Sequence, residues 1–493
     1  MLAETLSTRA APLVEAPAND VQWLIDNAEA YREFADAIAR AQESICISQL
    51  AFDADCLVYA LDGQGIRLLD ALVDASARGV TVRIVLNESF LLDTATALRK
   101  ALRRAGATDI EVRGVSCFPR LLHAKMLIVD EREAFVIGSP FVNGYWDDND
   151  HRPDDARRPA RELGGRPLHD VSFRVAGPAC DAMLAFFEEL WSDVAVQGER
   201  RGRALDSVVT NGVSIRTTLP RNASALRPDG EREILGAMLD GISRAREFIY
   251  LEHQYLCSRR VVAALARALA LHPSLEIVAL LNQNADVTAY RVWQRDRLAM
   301  HGLLDHPRVG LFALWSRAPA DDGRVALNQV FVHSKILVVD DAWATAGSAN
   351  VDGVSLHSYG ADFKSRLGER IFRHTRNIDL NVVLDAAIDP ALVEPIVSLR
   401  EALWAEHLPA DNQPAASGLA RWRAVAQVNQ EQLSSGAREE LHAGTFILPF
   451  CTSAYPVEQL AELGVRENDV DLRFNPGWLE VHCSPNWIRN MFA

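Results

Sequence analysis

The 493-residue chain has few cysteines, no long apolar run and no excess of basic charge. Its seven cysteines are scattered and form neither a C-x-x-C pair nor a spaced Cys/His signature, so we expect reduced thiols, no zinc site and no other cofactor. No apolar stretch reaches the roughly 18 residues that span a bilayer, and the first residues lack the basic start and apolar core of a secretory signal. These absences predict a cytoplasmic protein, with signal-independent export left open.

The balance of charge argues against a protein that binds nucleic acid. The formal net charge is −15, whereas affinity for a nucleic-acid backbone needs clustered Lys and Arg. With 49% hydrophobic and 24% charged residues, the chain otherwise has the composition of an ordinary globular protein. Its length is enough for two or more domains.

One chemical pattern, H-x-K-x-x-x-x-D, occurs twice. The two copies contain His123, Lys125, Asp130 and, about 210 residues later, His333, Lys335, Asp340. Each copy lies in an apolar run and leads to a Gly-Ser pair, Gly138-Ser139 or Gly347-Ser348. Side chains two apart on a strand point the same way, so each histidine shares a face with its lysine. One H-x-K triplet occurs by chance in a long chain, but two matched copies predict one active site built from two halves.

The residue types suit attack on a phosphodiester. Its negative charge repels nucleophiles, so a site must first neutralise the non-bridging oxygens, and two lysines supply that charge. One imidazole can attack phosphorus and form a covalent phosphohistidine. A second can protonate the leaving oxygen and then activate water or an alcohol. This scheme needs no metal, and the residues alone do not decide which histidine attacks.

The pattern resembles the signature of the phospholipase D superfamily, H-x-K-x-x-x-x-D followed by G-S-x-N. The second copy fits fully, with Asn350 in GSAN, whereas the first has one more residue before its Gly-Ser pair and Phe141 at the Asn position. The segments IYLEHQYL and SLREALWAEHL are also similar to the superfamily, and the resemblance covers about residues 30–410. It implies that His123 is the nucleophile and His333 the general acid and base.

Further site residues are predicted around the two histidines. Asp170 and Asp379 fall where the superfamily carries an acidic residue, and each should hold an imidazole in one tautomer. A solvated strand end is the alternative for both aspartates. The predicted hydrogen-bond donors to phosphate are Ser139, Ser348, Asn350 and, in place of the missing asparagine, Asn143.

Several other residues are expected to have structural roles. Asp130 and Asp340 should fix the turn after each strand, and Glu252 and Gln254 should alternate on a strand that ends at the pocket. Structural roles are also favoured for His253 and His169, of which the second should face away from its aspartate neighbour. Tyr145-Trp146 could line an apolar groove or pack in the core.

The rest of the chain predicts an α/β protein with two similar α/β/α sandwich domains, each with a mixed, mainly parallel sheet, packed about a pseudo-twofold axis. The domains are residues 1–200 and 201–410, followed by an extension, 411–493, that is either a structural cap or an active-site lid. The tail contains Trp422, Trp478, Trp487 and Phe492. Residues 147–168, which are charged and rich in Pro and Gly, predict a surface loop at the substrate entrance.

The favoured function is a phospholipase D-type phosphodiesterase that hydrolyses or exchanges the head group of a phospholipid, with transient contact to a membrane surface. The alternatives are a nuclease-like or nucleic-acid-binding member, and a phosphodiesterase acting on small molecules. Cardiolipin synthase-type members rank third because they usually have N-terminal membrane helices. Since one chain carries both motifs, we expect a monomer to be sufficient for catalysis.

Overall fold

The computed structural model describes residues 18–450, except 62, 90–91, 116–119, 154, 160–164, 195–208, 284–287, 320–324, 359–375, 410–417, 436–439 and 442–443. Trp478, Trp487 and Phe492 lie outside the described residues. Within the described ranges, every helix is too short or too polar to cross a bilayer.

The first half has eleven strands among the described residues, and seven of them form one sheet. Its strands are β1 (Asp20–Ile25), β2 (Ser44–Ser48), β3 (Leu57–Tyr59), β4 (Gly65–Arg67), β5 (Thr81–Asn87), β6 (Glu111–Val115), β7 (Leu121–Leu122), β8 (Met126–Val129), β9 (Glu133–Val136), β10 (Leu168–His169) and β11 (Val171–Ala176). Its helices are α1 (Asp26–Arg40), α2 (Leu68–Ala77), α3 (Thr94–Arg104) and α4 (Ala179–Val194). The sheet order is β1-β11-β9-β8-β2-β5-β6, and β3 and β4 form a separate hairpin.

The second half has twelve strands among the described residues, and most of them form a larger sheet. Its strands are β12 (Val209–Thr210), β13 (Val213–Leu219), β14 (Glu231–Arg232), β15 (Phe248–His253), β16 (Glu276–Leu281), β17 (Val309–Pro319), β18 (Val325–Gln329), β19 (Phe331–Val332), β20 (Lys335–Val339), β21 (Trp343–Gly347), β22 (Asn377–Asp385) and β23 (Gly444–Pro449). Its helices are α5 (Glu233–Arg244), α6 (Arg259–Leu271), α7 (Thr288–Met300), α8 (Gly353–Leu356), α9 (Val393–His407) and α10 (Leu419–Ser435). The main path is β12-β13-β22-β21-β20-β15-β16-β17-β18, with β14 on β13 and β23 on β17.

The expected duplication with two mixed sheets is confirmed, but parallel pairs are the minority. In the first sheet only β2–β5 and β5–β6 are parallel, and in the second only β15–β16 and β16–β17 are parallel along the main path. The reason is that each H-x-K strand returns through a tight turn instead of a crossover helix, so it pairs antiparallel with both neighbours.

The sheets alternate apolar side chains between an outer and a shared inner core. In β2, Ile45 and Ile47 pack under α1, α2 and α3, whereas Cys46 faces the inner core. That inner core joins both sheets with α4, α9 and α10, and Phe173 and Leu380 are among its buried residues. The two halves are therefore one packed body around a common interior.

The halves also exchange short strands. β7 pairs in parallel with the start of β22, and β10 pairs in parallel with β19. Backbone N–H groups of His123 and Ala124 donate to the carbonyl of Ile378, and those of His333 and Ser334 donate to the carbonyl of His169. Each H-x-K motif is consequently anchored to the strand that carries the other half's predicted aspartate.

Two sequence expectations about the periphery need correction. The second half does not end near residue 410, because β23 joins its sheet and Trp422 of α10 is fully buried in the inner core. Residues 147–168 are not simply a surface loop, because Asp147, His151 and Arg158 are buried. Asp147 pairs with Arg158, and His151 contacts the carboxylates of Asp26 and Glu406. These contacts replace the hydration that the polar groups would otherwise need.

Candidate active site

Each motif histidine is oriented by an aspartate of the opposite half. His123 Nδ1 lies 2.7 Å from Asp379 Oδ1, and His333 Nδ1 lies 2.7 Å from Asp170 Oδ2. Both aspartates are buried, which rules out the solvated strand ends considered as the alternative. A ring that donates from Nδ1 to a carboxylate keeps its lone pair on Nε2, the atom a nucleophile or base needs.

The serines of the two Gly-Ser pairs serve the aspartates. Ser139 Oγ donates to Asp170 Oδ2 and lies 3.3 Å from His333 Nδ1. Ser348 Oγ donates to Asp379 Oδ1 at 2.8 Å. A hydroxyl has one hydrogen to donate, and these hydrogens point to carboxylates. We therefore correct the assignment of both serines from phosphate donors to residues that position the His-Asp pairs.

The two lysines form a buried centre of positive charge. Lys125 and Lys335 are 0% and 1% exposed. Lys125 Nζ donates to the carbonyl of His123 at 3.0 Å, and Lys335 Nζ donates to the carbonyl of His333. Burial and repulsion from Lys335 lower the pKa of Lys125 to about 7. An anion bound near both ammonium groups would relieve this repulsion, so the pair is suited to a phosphate.

Both imidazoles are neutral at rest. Burial, reinforced by Lys125, lowers the pKa of His123 to about 4, and burial with Lys335 lowers the pKa of His333 to about 3. Burial would raise the pKa of Asp170, but His333 and Lys335 hold it well below its ordinary value. With ionised aspartates and charged lysines the site is balanced, so an added phosphodiester anion favours a proton on one ring.

The asparagine expected in each half is present in only one. Asn350 is 6% exposed and stays a predicted phosphate ligand, which would bind through the Nδ2 donor of its amide. Asn143 does not replace it in the first half. Its Oδ1 accepts from the Leu57 N–H at 2.7 Å and its Nδ2 donates to the Asp55 carbonyl at 2.9 Å. We therefore remove Asn143 from the phosphate-binding set.

The spacing after the Gly-Ser pair differs between the two halves. Phe141 forms a β-bridge with Phe52, as Val351 does with Leu256 in the second half. Phe141 thus corresponds to Val351 in the fold, and one residue, Pro140, stands where the second half has Ala349 and Asn350. Phe141 is fully buried in an aromatic cluster, so the first half has no amide side chain at this point.

The motif aspartates hold turns, as predicted. Asp130 and Asp340 each have a positive φ, 51° and 50°. Their carboxylates accept backbone N–H hydrogen bonds at the start of the neighbouring strand, from Gln42, Glu43, Ser44 and from Arg246, Glu247, Phe248 respectively. These contacts lie at the opposite end of the motif strand from the histidine, which gives both aspartates a structural role.

Glu252 lies on β15, beside the second motif, whereas Gln254 follows the last residue of that strand, His253. Glu252 is fully buried and accepts from Ser334 Oγ, within the H-x-K triplet, at 2.9 Å. Gln254 Nε2 donates to Tyr255 Oη at 2.8 Å. His253, between them, is buried, and burial with Lys335 lowers its pKa to about 3.

Three further residues, His169, His407 and Tyr145, contact the site although the sequence did not favour a site role for them. His169 Nε2 and His407 Nε2 lie 2.9 Å and 3.0 Å from the two carboxylate oxygens of Glu252. The Tyr145 ring packs edge-on against His333 with centroids 5.2 Å apart, whereas Trp146 belongs to the outer core. Only His407 had a sequence signal, because it falls in the segment SLREALWAEHL.

The chain is similar to several known proteins. A family model described as "Cardiolipin synthase, PLD-like domain" matches residues 34–143 and 238–360. Cardiolipin synthase B of Shigella flexneri is 24% identical over 380 residues, which cover 75% of this chain and 81% of that protein. Phospholipase D zeta 1 of Arabidopsis thaliana is 28% identical over 228 residues, covering 36% of this chain and 19% of that protein. The solved structure of phosphatidylserine synthase from Haemophilus influenzae Rd KW20 has a similar fold, with a TM-score of 0.51, 14% identity, and coverage of 77% of this chain and 85% of that one.

Proposed function

Since this chain is a member of the phospholipase D superfamily, we propose that it is a phosphatidyltransferase that moves the phosphatidyl group of a phospholipid to an acceptor alcohol or to water. The observation that carries the proposal is the pair of imidazoles, each oriented by a buried aspartate of the other half, beside two buried lysines. Such a site provides one nucleophile, one proton carrier and a binding place for a phosphate anion.

In the proposed first step, His123 Nε2 attacks phosphorus while Lys125 and Lys335 neutralise the non-bridging oxygens. A P–N bond forms as the P–O bond to the head group breaks. The leaving oxygen takes a proton from His333, whose ring gains that proton when the anionic substrate enters. Asp379 stabilises the positive charge that develops on the attacking ring, which is the role of the acid in a triad.

The proposed second step reverses the proton flow. His333, now neutral, removes a proton from water or an alcohol, and the resulting oxygen nucleophile attacks the phosphohistidine. The P–N bond breaks and His123 is released. Water gives phosphatidic acid, and an alcohol gives an exchanged phosphodiester. No step draws on a metal ion.

The similarity to cardiolipin synthase B changes the order of the alternatives. From the sequence alone, cardiolipin synthase-type members ranked third among the candidate functions. This relative, however, matches three quarters of the chain and four fifths of its own length. We therefore propose transfer to a glycerol-type hydroxyl, including that of phosphatidylglycerol, ahead of simple hydrolysis.

The test is a substrate panel run in EDTA. Vesicles of phosphatidylglycerol or phosphatidylcholine, single-stranded DNA and bis-p-nitrophenyl phosphate are incubated with the full chain, and products are identified by mass spectrometry. We expect cardiolipin and free glycerol from phosphatidylglycerol, and an exchanged lipid when a primary alcohol is added. His123→Ala and His333→Ala should each lower turnover by at least about 10³-fold. His301→Ala, which follows the end of α7, is the matched control and should be unchanged. Cleavage of DNA without turnover of any lipid would refute the proposal.

A further inference from the structure

A buried group of nitrogen and oxygen atoms lies behind His333 where distant parts of the chain meet. His169 Nδ1 is 3.0 Å from both Asp26 Oδ1 and Glu406 Oε1. His151 Nε2 is 3.3 Å from Asp26 Oδ2 and 3.1 Å from Glu406 Oε1. The donors come from α1, the 147–168 segment, β10 and α9, and they surround one point.

The second nitrogen of each ring contacts a different carboxylate. His151 Nδ1 lies 2.9 Å from Asp147 Oδ2, and His169 Nε2 lies 2.9 Å from Glu252 Oε2. A histidine that binds a metal almost always donates its other N–H to an outer acceptor, which fixes the tautomer and aims the lone pair at the ion. Both rings have this arrangement, and in both the inner nitrogen points to the same place.

Two carboxylate oxygens of this group are buried without a hydrogen-bond partner, and the first of them faces His151. They are Asp26 Oδ2 and Glu406 Oε2, on side chains that are 0% and 7% exposed. A buried carboxylate is costly unless it is paired or coordinates a metal. The carboxylates of Asp26, Asp147, Glu252 and Glu406 contact the two rings, and Asp147 also pairs with Arg158. These carboxylates raise the pKa of His151 and of His169 despite burial, so both rings hold protons when no metal is bound, and a divalent cation would displace those protons.

We propose that Asp26, His151, His169 and Glu406 bind one divalent metal ion, for which Zn²⁺ is the best match. Zinc binds imidazole nitrogen and carboxylate oxygen in a tetrahedron with bonds of about 2.0–2.1 Å, so ligand atoms are about 3.3 Å apart. The four N–O separations of 3.0 to 3.3 Å are close to that value, and one ligand atom from each residue lies within 4.8 Å of all the others. A mixed set of imidazole and carboxylate donors also suits Zn²⁺ better than Mg²⁺ or Ca²⁺.

The neighbouring group of His169, Glu252 and His407 is a weaker candidate. Glu252 already accepts hydrogen bonds from His169, Ser334 and Tyr250, and its contact with His407 completes its shell. This carboxylate therefore has the role of an outer acceptor behind the metal ligands.

The proposed ion has a structural role and does not depend on the proposed function. It would fasten the N-terminal end of α1 and the buried residue His151 to α9 of the second half. Since His169 precedes Asp170, it would also fix the strand that orients His333. The competing explanation is that the two rings hold protons shared with the carboxylates, without any metal.

The first experiment measures metal in the untagged full chain after gel filtration in metal-depleted buffer. Mass spectrometry of the elements should find about one zinc per chain, as for a site whose binding energy is coupled to folding. The zinc content per chain of Asp26→Asn and of His151→Gln should each be at least tenfold lower than that of the wild type. Glu401→Gln, an exposed acid on the same helix as Glu406, is the matched control and should keep it.

A second measurement keeps the proposal testable if the variants do not fold. Wild-type protein stripped with a chelator is titrated with Zn²⁺, and its melting temperature should rise with saturable binding. Cobalt in place of zinc should give the strong visible bands of a four-coordinate ion, and X-ray absorption of the zinc form should show only nitrogen and oxygen neighbours. A chain without stoichiometric zinc that also fails to take up Zn²⁺, Mn²⁺ or Co²⁺ holds protons in this cluster, and the proposal is then wrong. Equal metal in Asp26→Asn and Glu401→Gln would also overturn it.

Discussion

Asp170 of the first half lies 2.7 Å from Nδ1 of His333 in the second half. The mirror relationship joins Asp379 to His123 at the same distance. The exchanged strands β10–β19 and β7–β22 produce both pairs, because each motif continues directly from a strand held by the other half. The reciprocal His-Asp contacts make the halves mutually dependent.

Replacing either aspartate by asparagine should impair chemistry while leaving binding intact. Asp170→Asn retains the shape but favours the wrong tautomer of His333, and a loss of about 10²–10⁴-fold in kcat is expected, with little change in KM. Asp379→Asn should act in the same way on His123. Steady-state kinetics check this, with Asp148→Asn in the 147–168 segment as a control. A variant with unchanged kcat would show that the carboxylate does not assist the ring.

One polypeptide should make one complete site. Each His-Asp pair forms within a single chain, so mixing His123→Ala protein with His333→Ala protein should restore no activity. The assay is turnover of the mixture against each variant alone at equal total concentration. Recovery of a substantial fraction of wild-type activity would mean that the strands are exchanged between two chains.

A substrate with a good leaving group should separate the two histidines. The leaving p-nitrophenolate needs no proton, so His333→Ala should still form the covalent intermediate from a p-nitrophenyl diester and show a burst of product. His123→Ala should show no burst, because the nucleophile is missing. Rapid-quench mass spectrometry then locates the adduct, and an adduct on His333 would reverse the two roles.

Removing a turn aspartate should weaken folding more than chemistry. The carboxylate of Asp130 accepts three backbone N–H groups, and its loss in Asp130→Ala should cost about 1–3 kcal/mol of unfolding free energy. Urea denaturation gives that number, and kcat of the folded fraction should stay within a few-fold of wild type. A large fall in kcat at unchanged stability would contradict the structural role.

Stability should fall as the pH drops below neutrality. His123 has its pKa lowered from 6.5 to about 4 on folding, so between these values the unfolded chain binds a proton that the folded ring does not. The free energy of unfolding therefore decreases as pH falls from about 6.5 to 4, by at most about 1.4 kcal/mol per pH unit for this one group. His123→Gln should show a shallower slope in urea denaturation at pH 4.5–7.5, whereas His301→Gln should match wild type. An identical slope in the two variants would disprove the link.

The sequence could predict the parts of the site that depend on local pattern. The apolar runs after each H-x-K triplet are strands, and Asp130 and Asp340 fix turns, because strand periodicity and turn chemistry act over a few residues. The identity of Asp170 and Asp379 was also within reach. Their pairing with the opposite histidine was not, because it arises from strands exchanged across more than 150 residues.

Burial of polar residues was the main source of error. Composition placed residues 147–168 on the surface, yet Asp147 and Arg158 pair with each other inside the protein. The serines were assigned to phosphate because a hydroxyl can donate to a phosphate or to a carboxylate. Only the folded structure shows that the Ser348 hydroxyl faces a carboxylate. The cluster of Asp26, His151, His169 and Glu406 has no local spacing at all, so a search for metal-ligand motifs could not find it.

The amide of Asn350 in the second half has no counterpart in the first half, which makes the two sides of the duplicated site different. A phosphodiester has two unlike ester arms, and in a perfectly twofold site it could enter in either sense. With an amide from Asn350 on one side and no amide on the other, the two entry directions have different energies. The two histidines can therefore have different roles although their motifs match. The leaving alcohol and the incoming alcohol or water then use the same side of the site.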